Sequence, residues 1–176
     1  MFTRNWWASL ATFFTKSSGA NFTALDGTIG RGSADTSYNT PSWGGITSGS
    51  SDLSKIRTVI NYNTPGVVFG DGDTPVSFDD YKLSGNVVDT ITGTAAINHA
   101  VDDNGITSTG LYTLTNTSDT EITIREVGLF SRVSLSPTGG IKPVMYERTV
   151  LDSPVTIPAG GVGQVTYTIR MNYPTA

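Results

Sequence analysis

The chain has 176 residues, 37% hydrophobic and 15% charged, with a net charge of −4, 20 glycines and no cysteine. That length suits one domain with a core of its own. The acidic balance argues against a nucleic-acid partner, which requires a basic footprint, and the lack of thiols excludes disulfide scaffolding and thiolate metal sites.

Phe2, Trp6, Leu10 and Phe13 or Phe14 recur at helical spacing, with Trp7 beside them. The spacing predicts a helix from about Asn5 to Phe14, capped by Thr3 or Asn5, with an aromatic stripe along one side. Such a helix can pack on the chain's own β-domain, or it can anchor a neighbouring subunit, because aromatic residues dominate interface cores. A membrane-surface helix is the weaker option, with only Arg4 and Lys16 as basic residues. Asn5, Ser9 and Thr12 interrupt the apolar run, so neither a signal peptide nor a membrane span is expected.

Residues 17–54 are rich in serine, threonine and glycine and show little regular periodicity. Phe22, Leu25, Ile29, Tyr38 and Trp43 are spaced as isolated anchors, so an extended arm ordered by contacts is expected. The helix and arm form a region over 1–54, and a β-domain occupies 55–176. The glycine pairs at Gly30/Gly32 and Gly44/Gly45 lack the strand–GxxxxGK[ST]–helix setting of a phosphate loop.

Leu53 to Ile60 reads as the first strand of the body. NTPG and GDGDTP follow as turns, and their aspartates, Asp71 and Asp73 with Asp79 and Asp80 nearby, lack the pattern of a calcium loop. Val87 to Val101 reads as one strand, or as two joined at Thr92-Gly93. Its odd-numbered face puts His99 with Ala95, Ile97 and Val101, where a structural or interface role is expected. DDNG at Asp102 to Gly105 is a hairpin signal, Leu111 to Thr115 a strand, and Thr115 to Thr120 a tight turn.

In Glu121 to Phe130, Ile122 and Ile124 share one face, whereas Val127 and Leu129 have the opposite parity. One inserted residue near Arg125-Glu126 restores the phase, which predicts a β-bulge or bend carried by Arg125, Glu126 and Gly128. Beside Arg125 and near Arg148, Glu126 is expected to form an ion pair that fixes this bend. Val144 to Leu151 is a strand of mixed faces, and Pro154 and Pro158 bracket a short edge strand. Val165, Tyr167, Ile169, Met171 and Tyr173 alternate with polar residues, giving a last strand with one buried face.

Candidates for catalysis are sparse, with one histidine, no cysteine, and most carboxylates in glycine-rich turns. No catalytic residue, metal site or cofactor is expected, and the chain is read as a non-enzyme. The fold expected is mainly β, a β-sandwich or jelly-roll-like domain with an N-terminal helix and an extended arm.

Asn116-Thr117 with Ile122 to Phe130, Arg148 to Leu151, Pro154 to Gly160 and Val165 to Arg170 follow one another in an order and spacing that resembles a group of tailed-bacteriophage structural proteins. The resemblance covers roughly Asp79 to Tyr173. It implies a β-sandwich virion component with a capsid-surface, connector-region or tail role, assembled in the host cytoplasm, and it assigns no catalytic residue. Self-association and other virion proteins are then the expected partners, with no nucleic acid and no membrane. Phe2, Trp6, Trp7, Leu10, Phe13, Phe14, Phe22, Tyr38 and Trp43 are the candidate interface anchors. The alternative is a receptor- or glycan-binding fibre or tail module, for which a charge-poor surface with isolated aromatic residues also suits.

Overall fold

The computed structural model describes residues 1–8, 20–32, 56–58, 66–136 and 140–172. They form nine strands: β1 (Asn21–Thr23), β2 (Ile29–Gly32), β3 (Ile56–Arg57), β4 (Gly66–Gly70), β5 (Ile91–Asp102), β6 (Gly105–Asn116), β7 (Ile122–Ser136), β8 (Gly140–Ile157) and β9 (Val162–Asn172). A six-stranded sheet runs β1-β2-β7-β4-β3, with β8 on β7, and a three-stranded sheet runs β5-β6-β9. The fold is mainly β and sandwich-like.

The apolar core between the sheets draws Val67 and Phe69 from β4, Val127 and Leu129 from β7, Tyr112 and Leu114 from β6, and Val165 and Tyr167 from β9. Each such side chain contributes about 1.5–3 kcal/mol when taken fully from water. The outer face of the six-stranded sheet is covered too. Val68, Phe130 and Met145 pack there against Leu83, while Trp6 and Phe22 join Leu135, Val144 and Tyr146 in a separate cluster against which Met171 of β9 also packs. Burial on both faces explains why every residue of β4 is buried, an arrangement that erases period-two alternation.

Several elements differ in extent from the sequence expectation. Strand β5 starts at Ile91 and passes through Thr92-Gly93 without a break, whereas Val87 makes only an isolated bridge to Gly70. Residues 140–157 are one strand rather than two, because Leu151 to Pro154 bulge out of the ladder and pairing with β7 resumes beyond them. Within the arm, β1 and β2 form a hairpin that joins β7 through Arg31↔Ser136 and Gly32↔Leu135. Residues 4–8 are helical. The rest of the predicted helix, the boundary at 54–55, and Leu10, Phe13, Phe14, Tyr38 and Trp43 lie outside the described residues.

The crossovers between the sheets meet at Asn116, the last residue of β6. Its side-chain amide donates to the carbonyls of Thr120 (2.7 Å), Ile157 (3.1 Å) and Pro158 (3.1 Å), and its Oδ1 accepts from the Ser118 amide (2.9 Å). Its backbone amide donates to the Gly161 carbonyl at 2.9 Å, and the next amide, Thr117, to the Thr90 carbonyl at 2.7 Å. The β6–β7 turn, the β8–β9 turn and the start of β5 are thereby held at one point. Asn116→Asp keeps the acceptor but loses both donor hydrogens and leaves buried carbonyls unpaired. It is expected to lower unfolding free energy by about 1–3 kcal/mol in urea titrations, with Ser118→Ala costing about 1 kcal/mol or less.

Candidate functional site

Glu126 and Arg148, on neighbouring strands β7 and β8, are 0% and 1% exposed. Gly128 is the direct partner of Arg148, so the arginine and Glu126 stand diagonally on one face of the sheet. Arg148 Nε donates to Glu126 Oε2 at 2.6 Å, Nη1 to Asp80 at 2.7 Å, and Nη2 to the Thr74 carbonyl and Ser84 Oγ, each at 2.7 Å. The other acceptor positions of Glu126 are filled by the Gly85 amide (2.8 Å), the Ser84 amide (3.1 Å) and the Ser84 hydroxyl (3.2 Å). Every partner outside β7 and β8 belongs to the segment 71–90, which this buried pair clamps across the sheet.

Close approach makes the clamp possible. A Cβ on Gly72 would lie 2.1 Å from Ser84 Oγ and 2.3 Å from the Gly85 nitrogen, and one on Gly85 would lie 2.3 Å from the Gly72 nitrogen. Both limbs of the segment therefore cross against the Glu126 carboxylate with no room for a side chain. At Gly128 an added Cβ would meet Phe130 at 2.7 Å and Leu83 at 2.8 Å.

A register shift lies between Ile124 and Glu126, with Arg125 alone on β7 facing Leu151 to Pro154 on β8. Most of the extra chain is thus on β8. The ladder runs in register through Gly128, and a second shift lies between Leu129 and Phe130, where Tyr146 is the extra residue. Ile124 and Val127 both face the inter-sheet core, so β7 changes phase across Arg125-Glu126.

Burial pushes the Glu126 carboxyl up, but the Gly85 amide, Arg148 and the Ser84 amide outweigh it and hold the group below its ordinary 4.5. Arg148 is likewise pushed down by burial and returned above its ordinary value by Glu126 and Asp80. With each oxygen occupied and no exposed edge, the pair offers a substrate nothing to meet. Its chemistry is structural.

The adjacent Glu147 points to the opposite face. It accepts from the buried Tyr167 hydroxyl of β9, from Thr149 Oγ1 (2.8 Å) and from the Met1 amino group (2.5 Å). Burial, followed by the Glu147 charge, holds the Tyr167 phenol well above its ordinary 10.0, so it remains a donor. Phe2 bridges to Glu147, the Thr3 amide bonds the Tyr146 carbonyl, and the Arg148 amide bonds the Met1 carbonyl, which places residues 1–3 on the outer edge of β8.

The aromatic candidates separate by placement. Phe2 stacks on Trp6 at 4.6 Å, Trp6 meets Tyr146 edge-on, and Phe22 is buried in the same cluster. Asn5 ties this end together, bonding the Thr23 amide (2.7 Å) and the Thr23 and Met145 carbonyls. Trp6 and Phe22 pack on this chain's own sheet, which corrects the anchor reading for them: a ring buried in its own core has no surface for a neighbour. Trp7 is 54% exposed.

Three of the four turn aspartates have partners. Asp71 accepts from the Asn86 amide (2.6 Å), Asp79 from Arg4 (2.7 Å), and Asp80 from the Ser77 amide (2.8 Å) as well as Arg148. Among the described residues no group of three or more His, Cys, Asp or Glu is placed to hold a metal. His99 is exposed, with Nδ1 2.9 Å from Ser108 Oγ. Sequence reasoning missed Asp80, Ser84 and Asn116 as organising residues; their signal was a polar residue beside a turn, which is common in exposed loops.

Arg148→Met leaves a buried carboxylate without its cation and is expected to cost about 3–5 kcal/mol, whereas the double change Glu126→Gln/Arg148→Met recovers part of that loss in denaturant titrations. The depressed carboxyl of Glu126 gives stability that is complete above its ordinary pKa and fades as pH falls through the folded-state value. The wild-type urea midpoint should therefore drop on acidification below 4.5. Glu126→Gln, weaker at neutral pH, should lose less over the same step. Comparison with family models, with curated proteins and with solved structures finds no match to this chain, so its function is read from its own residues.

Proposed function

We propose that the chain is a non-enzymatic structural component of a bacteriophage virion, assembling by protein–protein contacts on the capsid or tail. The observation that carries this reading is the use made of the residues that resemble phage structural proteins. Asn116 joins the crossovers, Ile122 to Phe130 forms the central strand, and Arg148 closes the clamp. Val165 and Tyr167 fill the inter-sheet core. The shared pattern is thus a scaffold pattern, and the charged residues that catalysis would recruit, Glu126, Glu147 and Arg148, already have structural partners. A scaffold of this kind performs its role through its surfaces.

A receptor- or glycan-binding module is the second reading, favoured by the exposed rings of Trp7 and Phe78. The two are separated by peptide mass spectrometry of purified particles and by glycan-array binding. The expected result is the chain in particles at many copies each, with no glycan binding that Trp7→Ala abolishes. Absence from particles, while the chain is abundant in the lysate, would overturn the virion reading.

A further inference from the structure

The edges of the two sheets are treated unequally. On the six-stranded sheet, β8 is covered by residues 1–3 at its middle and interrupted by register shifts near Tyr146 and Pro154. At the opposite side β3 has two residues and β1 three. Short strands, prolines, bulges and covering segments are the devices by which proteins keep edges from pairing with other chains.

Among the described residues, strand β5 has no proline and no bulge, and β3 comes near it at its start, where Ile56 would lie 3.2 Å from a Cβ added to Gly93. Strand β5 is a 12-residue edge paired with β6 in unbroken register from Ile91↔Asn116 to Asp102↔Gly105. Among the described residues no strand pairs with its other side. Between Ile91 and Val101 there is no Lys, Arg, Asp, Glu or Pro. Thr94, Ala96, Asn98 and Ala100 are exposed, and Val101 is 71% exposed. At the far end of β5, Asp102 is held by Arg170 of β9 across β6 at 3.0 Å.

We propose that β5 is a self-association edge, pairing antiparallel with β5 of a second copy to give one continuous six-stranded sheet across a two-fold axis. The proposal gives a surface to the self-assembly in the preceding section and rests on that reading for its biological purpose. The occupant follows from charge and from hydrogen bonding. The chain carries −4 overall, which discourages contact between acidic surfaces, yet in an antiparallel pairing centred on Ala96 the paired stretch Ile91 to Val101 holds no acidic or basic residue, and like charges, Asp89 and Asp103, meet only beyond its ends. Unpaired main-chain groups of such an edge supply about ten hydrogen bonds, the complement of an ordinary protein interface. The edge is about 40 Å long and about 10 Å deep, so the pairing buries only about 800 Å² in total, below the ~1,200 Å² of a stable complex. The association is therefore weak in solution and strengthened where many copies are held together.

Sedimentation of the full chain from about 10 μM to about 1 mM tests this. The weight-average mass should rise from one copy towards two and stop there. The pair Thr94→Lys/Asn98→Lys should weaken the association by at least about tenfold, and mixing it with Thr94→Glu/Asn98→Glu should restore it. A wild-type chain that stays single, grows beyond two copies, or pairs unchanged by the lysines overturns the proposal. Amide exchange of the wild-type chain reads the same point without variants: β5 amides slow with concentration while those of β9 do not, and equal behaviour of the two edges counts against it. Pairing through β5 by a chain absent from particles removes only the virion reading. Presence in particles of a chain that stays single in solution removes only the pairing.

Discussion

The buried ion pair of Arg148 and Glu126 is the interaction on which the outer layer depends. Two charges out of water are costly unless every remaining donor and acceptor is met, and here Asp80, Ser84, Gly85 and the Thr74 carbonyl meet them. All four belong to an irregular segment with little repetitive hydrogen bonding of its own. The pair thus converts an otherwise loose stretch into a lid on the sheet, and Leu83, carried by that lid, covers Val68, Phe130 and Met145. The same need for close approach accounts for Gly72 and Gly85, whose backbones touch where any side chain would intrude.

Alternation along β8 turns one dipeptide into two joints. Arg148 faces the lid, and Glu147, pointing the other way, takes the Tyr167 hydroxyl from the opposing sheet and the start of the chain at Met1. Period two in a strand makes this unavoidable for adjacent residues. Asn116 does the complementary work at one end of the sandwich, where turns joining the two sheets present carbonyls that no strand can satisfy. Beyond the buried layer, the clamp and the knot of turns, the exposed face of the β5-β6-β9 sheet is joined by cross-strand side-chain bonds such as Arg170 to Asp102 and Thr107.

Much of this was legible in the residues. The parity of Val165, Tyr167 and Ile169 marks an amphipathic strand, and β9 buries that face. The change of parity between Ile124 and Val127 marks a slip in β7, because both must reach one core. DDNG marks the hairpin that the Asp102↔Gly105 pair closes. The extent of β8 was not legible. Two prolines and a mixed pattern read as interruptions, whereas the neighbouring β7 holds the strand together across its bulge. The anchoring residues were half legible: ring spacing announces a packed aromatic stripe but not what it packs against, and the structure buries Trp6 and Phe22 at home while exposing Trp7.

The sequence by itself determined the fold class, the DDNG hairpin and the phases of β7 and β9, since these follow from local periodicity and turn chemistry within a few residues. The pairing of Glu126 with Arg148 was expected from the bend in β7, but only the tertiary structure decided the rest of the network. Asp80 lies 68 positions from Arg148 in the chain, and no local rule relates such distances. It also decided which strands stand at the edges of the sheets among the described residues, because an edge is a property of how strands are ordered in space, and a sequence of strands does not state that order.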